Sequence, residues 1–211
     1  MFKDFIQNSV EWNGWGWNSL TISFFATLMF TIIQALGLSK QFYTIYRSAS
    51  GVSVSAPFFA YFFYAMVSCF FYGIFSQSIA LVCNGTLGIF YFLVLFGLWK
   101  YKGFTKIEMT LLFLFSLMVV FMIIFPWKDT LFLIFTAGGL VPMANQPIVM
   151  WRNKNAGVLD LGFVVVFSAS VLFWLIYGLA IKNLALMIIN PIALIIMFIT
   201  ILLWLKYKPA H

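Results

Sequence analysis

Apolar segments separated by short polar connections dominate the chain. Each segment is close to the length of a helix that crosses the hydrocarbon core of a bilayer. Short connections are typical of antiparallel neighbouring helices. The pattern predicts an all-α membrane protein with seven transmembrane helices, at residues 20–38, 54–75, 79–99, 109–127, 131–150, 161–181 and 184–205.

The composition supports this prediction. Hydrophobic residues make up 64% of the chain and charged residues 8%, whereas soluble domains carry about 25% charged residues. So few charges cannot cover a water-facing surface, and the lipid bilayer is therefore an expected partner. The net charge is +7, but the basic residues stand in the connections, where they orient the protein and contact lipid headgroups. The charge does not predict binding to nucleic acid.

Lysine and arginine are unevenly distributed between the two sides of the predicted membrane. The N-terminus and the connections after the second, fourth and sixth segments hold three, and the other side holds nine. By the positive-inside rule the richer side faces the cytoplasm. We expect an outside N-terminus and a cytoplasmic C-terminus, in the plasma membrane (the inner membrane if the host is a bacterium). The polar residues 1–19 lack the apolar stretch of a signal peptide and predict an extracytoplasmic interfacial segment.

The chain matches itself at an offset of 105 or 106 residues, which predicts an internal repeat. A unit of three helices repeated directly would be inverted, but the fourth segment has no counterpart and restores the orientation, so the repeats are parallel. The predicted organisation is a first repeat at residues 20–107, a linker helix at 108–128, a second repeat at 129–208 and a tail at 209–211. The matching pairs include Gln41 with Gln146, Tyr72 with Tyr177, Leu81 with Leu186 and Asn84 with Asn190.

The polar residues inside the segments are neutral, and this suggests the chemistry of the solute. Asn84 and Asn190 occupy equivalent positions in the third and seventh segments. A buried amide must be paired, and it offers two donors and two acceptors, which suits a hydroxyl-rich solute or a bond between helices. Because no ionisable residue lies deep in a segment, we expect passive movement of a neutral solute down its gradient.

Trp174 lies in the middle of the sixth segment, away from the interfaces where tryptophan is common. Its indole ring offers a face on which a sugar or a nucleobase could stack, although core packing is the competing interpretation. Ser170 precedes it by one helical turn and shares its face. Cys69 is the counterpart of Trp174 in the first repeat.

Other classes of site are not indicated. The segments contain no Ser/His, Asp/Asp or metal-ligand constellation, so we expect neither an enzyme, nor a cofactor, nor a bound metal. The expected partners are a small neutral solute and the lipid bilayer, and a homo-oligomer remains an open possibility.

Several motifs together resemble the SWEET/PQ-loop (MtN3/saliva-type) family of sugar transporters. They lie around Gln41 in the first repeat and around Gln146 in the second. Tyr72-Gly73 with Asn84-Gly85, and Trp174 to Gly178 with Asn190-Pro191, are similar to the signatures of the later helices in each repeat.

The resemblance implies a three-plus-one-plus-three helix fold and alternating-access uniport of a mono- or disaccharide. In this family paired asparagines bind sugar hydroxyls and tryptophan flanks the sugar, at an interface between the repeats. These roles fall on Asn84, Asn190 and Trp174, with Ser170 beside them and Cys69 where a second tryptophan is often found. Candidates for a gate or hinge are Tyr72, Tyr177, Pro57, Pro142, Gln41 and Gln146.

Two alternatives remain open. A PnuC-type facilitator of nicotinamide riboside, or of another small polar metabolite, resembles the same architecture and would use the aromatic residues. A retrieval receptor that binds a peptide tail is a candidate from a different class, but it needs deep basic residues that the segments do not contain.

Overall fold

The computed structural model describes residues 2–50, 54–155 and 161–207, and the tail predicted at 209–211 lies outside these ranges. The described residues form α-helices and no strand. The helices are α1 (Phe2–Asn8), α2 (Val10–Asn13), α3 (Ser19–Ser48), α4 (Ala56–Phe75), α5 (Ile79–Gly85), α6 (Gly88–Tyr101), α7 (Lys106–Ile124), α8 (Lys128–Gly138), α9 (Leu140–Asn153), α10 (Leu161–Ala180) and α11 (Leu184–Tyr207).

Within the described residues, six helical stretches are long and apolar enough to cross a membrane. They are Ser19–Ser48, Ala56–Phe75, Ile79–Tyr101, Lys106–Ile124, Lys128–Asn153 and Leu184–Tyr207. A shorter apolar stretch, Val164–Ala180, lies in α10. Large apolar side chains are exposed along these helices, for example Ile32 at 61%, Phe113 at 66% and Ile195 at 60%. Such a surface is stable only against lipid or another apolar surface, so the all-helical membrane character is confirmed.

The first span continues well beyond its predicted end at Leu38. Helix α3 extends to Ser48 and includes Lys40 and Arg47, which the hydropathy pattern assigned to the following connection. Residues 39–48 contain neither proline nor glycine. Arg47 lies in the last turn, where a cation interacts favourably with the helix dipole. The predicted span ended at Leu38 because the hydropathy falls there. A fall in hydropathy does not by itself end a helix, and α3 continues to Ser48.

Two of the spans are interrupted. The third is divided into α5 and α6 at Thr86 and Leu87, where Leu87 N–H donates to the Asn84 carbonyl at 3.0 Å. This bond joins residues three apart and tightens the turn. The fifth span is divided into α8 and α9 at Gly139, whose N–H donates to the Thr136 carbonyl at 3.1 Å. Each interruption redirects the side chains that follow it.

The chain divides into two compact units. The first comprises Met1–Gly16 and Leu28–Phe132, and the second comprises Trp17–Thr27 and Leu133–His211. In the first unit α4 packs against α5, α6 and α7, and in the second α11 packs against α9 and α10. Each unit therefore carries its candidate site residues on helices that are packed together.

The end of α3 is joined to α6 by a small apolar core in the first unit. Ile45 is 1% exposed and belongs to a buried cluster with Ala56, Val94 and Leu98. Gly97 allows α6 to approach α3 closely, because a Cβ at this position would lie 2.8 Å from Cε2 of Tyr46. This packing gives the polar end of α3 a tertiary reason to remain helical.

Candidate solute-binding site

Asn84 lies in the last turn of α5 and is half-buried. The Thr31 hydroxyl donates to its Oδ1 at 3.3 Å, and its Nδ2 faces the Met66 sulfur at 3.7 Å. A thioether is a weak acceptor, so the amide nitrogen retains capacity for a stronger one. The Thr31 contact fixes which end of the amide is the donor.

Cys69 of α4 is buried beside this asparagine. Its thiol is 3.5 Å from the Leu81 carbonyl of α5, to which it donates, and it is within hydrogen-bonding reach of the Asn84 side chain. The first unit thus brings together two of the predicted site residues.

Asn190 of α11 is 9% exposed, and its Nδ2 donates to the Leu186 carbonyl one turn earlier, at 2.9 Å. Pro191 follows it inside the helix. Proline has no N–H to donate to the carbonyl four residues earlier, that of Met187. The amide of Asn190 therefore lies at a point where the backbone of the span departs from regular helical bonding.

Trp174 and Ser170 both lie on α10 and are buried, at 8% and 3% exposed. The Trp174 ring meets Tyr177 edge to face, with centroids 5.7 Å apart and planes at 87°. Helix α10 packs against α11, which carries Asn190. The second unit therefore places a buried tryptophan, a buried hydroxyl and a buried amide on two neighbouring helices.

The two gate candidates Tyr72 and Tyr177 are almost completely buried, at 2% and 0% exposed. The Tyr72 hydroxyl donates to Oδ1 of Asp129 at 2.6 Å, and its ring stacks on Phe132 at 4.0 Å. Both partners belong to α8. These contacts tie the last turn of α4 to the start of α8 within the first unit.

Lys128 stabilises the neighbouring turn. Its Nζ donates to the carbonyls of Met122, Ile123 and Phe125 at the end of α7, at 2.6 to 3.2 Å. The same ammonium lies 5.7 Å from the Phe75 ring centroid. The turn between α7 and α8 is held by its own lysine, so Asp129 is presented to Tyr72 from a fixed position.

The remaining candidates are spread over other helices. Pro57 lies in the first turn of α4, where proline costs no helical hydrogen bond. Pro142 lies near the start of α9, and Gln146 is exposed on the same helix. Gln41 is half-buried on the extended part of α3. Their role as a gate or hinge stays a prediction.

An apolar groove of about 360 Å³ on the first unit is a different kind of feature. It runs along α4 beside the interruption between α5 and α6, and its lining surface is entirely apolar. A hydroxyl-rich solute would lose its bonds to water there without replacement. The groove, whose lining includes Phe63, Phe70, Phe71, Ile89 and Phe92, is not a candidate for the solute site.

Two residues near the candidate site were not identified from the sequence. Nothing in the sequence marks Thr31 as part of a site, and only the fold reveals that it faces Asn84 across 53 positions of sequence. Glu11 was placed in an interfacial segment, yet it is 2% exposed and contacts the start of α5. No short motif links either residue to the third span.

Comparison with known proteins finds a family similarity in the C-terminal part of the chain. Residues 130–211 match the sequence model of a family described as "Sugar efflux transporter for intercellular exchange". This is the SWEET family, so the resemblance seen in the motifs is confirmed over this range, which includes Trp174 and Asn190. No curated protein and no solved structure gives a significant match to the chain.

Proposed function

We propose that the protein is a SWEET-type transporter that moves a small neutral solute, a mono- or disaccharide, through the membrane by alternating access without ion coupling. The observation that carries the proposal is the family match over residues 130–211, a family of sugar transporters and not of enzymes. The matched range includes Asn190 and Trp174. The first unit contains Asn84, which accepts a hydrogen bond from Thr31.

The chemistry of the first unit supports a hydroxyl-rich solute. Asn84 has its oxygen engaged by Thr31 and its nitrogen near a sulfur. A sugar hydroxyl is a better acceptor than a thioether and can replace it. Asn190 and Trp174 are proposed to supply a second amide and an apolar face for the sugar ring.

We further propose seven spans arranged as two parallel three-helix repeats around a linker helix. Two turns support this arrangement, at positions separated by the 105-residue offset. Gln77 has φ 52° and Lys182 has φ 56°, both in the left-handed region. Ser78 N–H donates to the Gly73 carbonyl and Asn183 N–H to the Gly178 carbonyl, each at 2.9 Å.

In both turns a side-chain oxygen at the same position caps the helix that follows. Ser78 Oγ accepts from Leu81 N–H, and Asn183 Oδ1 accepts from Leu186 N–H, each at 3.1 Å. Unusual backbone angles and caps recurring at one offset favour duplication over coincidence, because positive φ is uncommon for residues other than glycine.

The paired tyrosines are proposed to form part of an outer gate. Tyr72 precedes the first of these turns and Tyr177 precedes the second. The bond from Tyr72 to the Asp129 carboxylate is charge-assisted, and such bonds are short and strong. We propose that this bond stabilises a closed state of the outer gate. Because Asp129 is exposed, water can replace the Tyr72 hydroxyl when the gate opens.

The test is uptake by proteoliposomes containing the purified protein, with radiolabelled glucose, sucrose and nicotinamide riboside supplied separately. We expect saturable sugar uptake that stops at equilibration and is unaffected by proton or sodium ionophores. Uptake of the riboside alone would show that the sugar assignment is wrong while leaving the transporter fold intact.

Replacement of either asparagine should remove most of this uptake. Loss of two neutral hydrogen bonds costs about 1–3 kcal/mol, so Asn84→Ala and Asn190→Ala should each reduce uptake about tenfold or more. Asn8→Ala, at an exposed position of α1, is the matched control and should transport normally. Near-normal uptake by both site variants, with folding verified by size-exclusion chromatography, would remove these amides from the site.

A further inference from the structure

Glu11 is a buried carboxylate that lies far in sequence from the helix it contacts. It is 2% exposed, and three groups at the start of α5 donate to it. The Ser78 hydroxyl and Ala80 N–H reach Oε1 at 3.1 and 2.9 Å, and Ile79 N–H reaches Oε2 at 3.0 Å. A carboxylate at a helix start satisfies N–H groups that have no partner within the helix.

The surrounding backbone holds this carboxylate in place. Val10 N–H donates to the Gln77 carbonyl at 3.0 Å, and Ser9 caps α2 by accepting from Trp12 N–H at 3.2 Å. Ser9 itself is fully buried. Ser78 relays the contact further, because its Oγ accepts from Leu81 N–H while donating to Glu11. Residues 9–12 and the turn before α5 thus form one hydrogen-bonded cluster.

The other end of α5 is fixed by close packing. A Cβ added at Gly85 would lie 2.5 Å from the backbone nitrogen of Phe70 on α4. Between the two ends, the Cys69 thiol donates to the Leu81 carbonyl. Helix α5 is only seven residues long, about 10 Å, so Asn84 in its last turn lies within two helical turns of the start that Glu11 contacts.

The corresponding turn in the second unit is capped by its own residue. There Asn183 supplies the oxygen that accepts from Leu186 N–H. The first unit instead combines Ser78 with a carboxylate from the N-terminal segment. The two turns share backbone geometry but differ in the origin of the groups that hold them.

We propose that Glu11 is a positioning residue that fixes α5 and thereby sets the place of Asn84 in the solute site. The inference rests on the proposed function, because Asn84 is assigned there as a solute contact. The N-terminal segment is then part of the transport machinery of the first unit and not merely an interfacial appendage.

The native thiol Cys69 provides a readout that does not depend on the solute. It is buried and bonded to α5, so it should become more reactive when α5 is released. In a Cys83→Ser background we expect Glu11→Gln and Glu11→Ala to raise the rate of Cys69 alkylation by N-ethylmaleimide about tenfold, as loss of bonds to a charged group predicts. Glu11→Asp keeps the charge and should restore part of the protection.

The matched control is Asp4→Asn, which removes a carboxylate from an exposed position of α1 and should leave Cys69 unchanged. In proteoliposomes, Glu11→Gln should raise the KM for the transported sugar several-fold while Vmax stays within about twofold. A several-fold rise corresponds to a loss of roughly 1 kcal/mol in the free energy of solute binding. A merely structural role would lower the amount of active protein, and hence Vmax, without changing KM.

The outcomes separate this inference from the proposed function. Unchanged Cys69 alkylation in both Glu11→Gln and Glu11→Ala would overturn it, whatever the transport result. Faster alkylation with an unchanged KM would overturn the positioning role and leave only a structural clamp. If the unmodified protein transports none of the solutes, the proposed function fails, and with it Asn84 as a solute contact, while alkylation still reports whether Glu11 holds α5.

Discussion

At the scale of single residues, the orientation of the Asn84 amide would determine which bonds a solute forms at the proposed site. Its oxygen accepts from the Thr31 hydroxyl, and its nitrogen faces the Met66 sulfur, a weak acceptor that a solute oxygen could replace. A threonine one turn earlier makes a different contact: Thr27 donates to the Phe24 carbonyl of its own helix at 2.8 Å. Comparing variants of Thr31 and Thr27 tests whether solute binding depends on the contact with Asn84 or only on a hydroxyl in α3.

Thr31→Val keeps the shape of the side chain and deletes the hydroxyl. We expect KM for the sugar to rise about two- to tenfold, the effect of one neutral hydrogen bond of about 0.5–1.5 kcal/mol. Thr27→Val should leave KM unchanged, because the Thr27 hydroxyl donates to a carbonyl of its own helix and not to Asn84. Equal KM values in the two variants, measured by initial rates of uptake, would exclude an orienting role for Thr31.

At the residue scale, the sequence draws attention to residue types that are unusual for their surroundings. Asn84, Asn190 and Trp174 were identified because an amide or an indole deep in an apolar segment demands an explanation, and the structure places all three on packed helices. Glu11 was missed because a carboxylate in a polar terminal segment is unremarkable. Its significance depends on a contact 69 residues away in sequence, with Ala80 N–H.

At the scale of helices, hydropathy locates spans but not the irregularities within them. It placed the starts and ends of α4 and α10 to within about two residues. It did not detect the break at Thr86 and Leu87, where every side chain remains compatible with a continuous apolar helix. Beside the break, Gly85 packs closely against the backbone of Phe70 on α4. The sequence of the third span alone does not reveal this contact.

Gly85→Ala should therefore disrupt the first unit. A Cβ at this position would meet backbone atoms of Phe70 at 2.5 to 2.6 Å, and backbone cannot move aside as a flexible side chain can. We expect the apparent melting temperature in detergent, measured by intrinsic tryptophan fluorescence, to fall by several degrees, consistent with overpacking penalties of about 1–3 kcal/mol.

Gly37→Ala is the matched control for this substitution. Gly37 lies inside α3 and a Cβ there would meet nothing within 4 Å. Alanine in a helix interior is favoured over glycine by about 0.5–1 kcal/mol, so this variant should melt at the same or a higher temperature. Equal melting temperatures for the two variants would mean that the approach of α5 to α4 at Gly85 is not tight.

At the scale of the whole molecule, the family similarity is confined to one part of the chain. The family match covers residues 130–211, where α11 is continuous and carries Asn190-Pro191. In the proposed repeat the equivalent position is Asn84-Gly85, which is followed by a break in the span. There Cys69 takes the place of the second tryptophan, and Glu11 contacts α5 from outside the repeat. Local departures of this kind would weaken a sequence match in the first repeat.

The orientation in the membrane is the property of the whole chain that its charges predict most directly. Three basic residues stand on one predicted side and nine on the other, and this bias favours a single orientation with the C-terminus in the cytoplasm. In a background with Cys69→Ala and Cys83→Ala, Asn8→Cys should react with a membrane-impermeant maleimide added to intact cells. Asn153→Cys, on the opposite predicted side, should react only after permeabilisation.

Both cysteines would be placed at exposed positions at the ends of helices, α1 and α9, so burial does not bias the comparison. Labelling of Asn153→Cys alone in intact cells would invert the topology. The buried Glu11 and the Tyr72–Asp129 bond would then face the cytoplasm, and the proposed outer gate would become an inner one. Labelling of both positions would indicate two coexisting orientations, which the charge bias predicts not to occur.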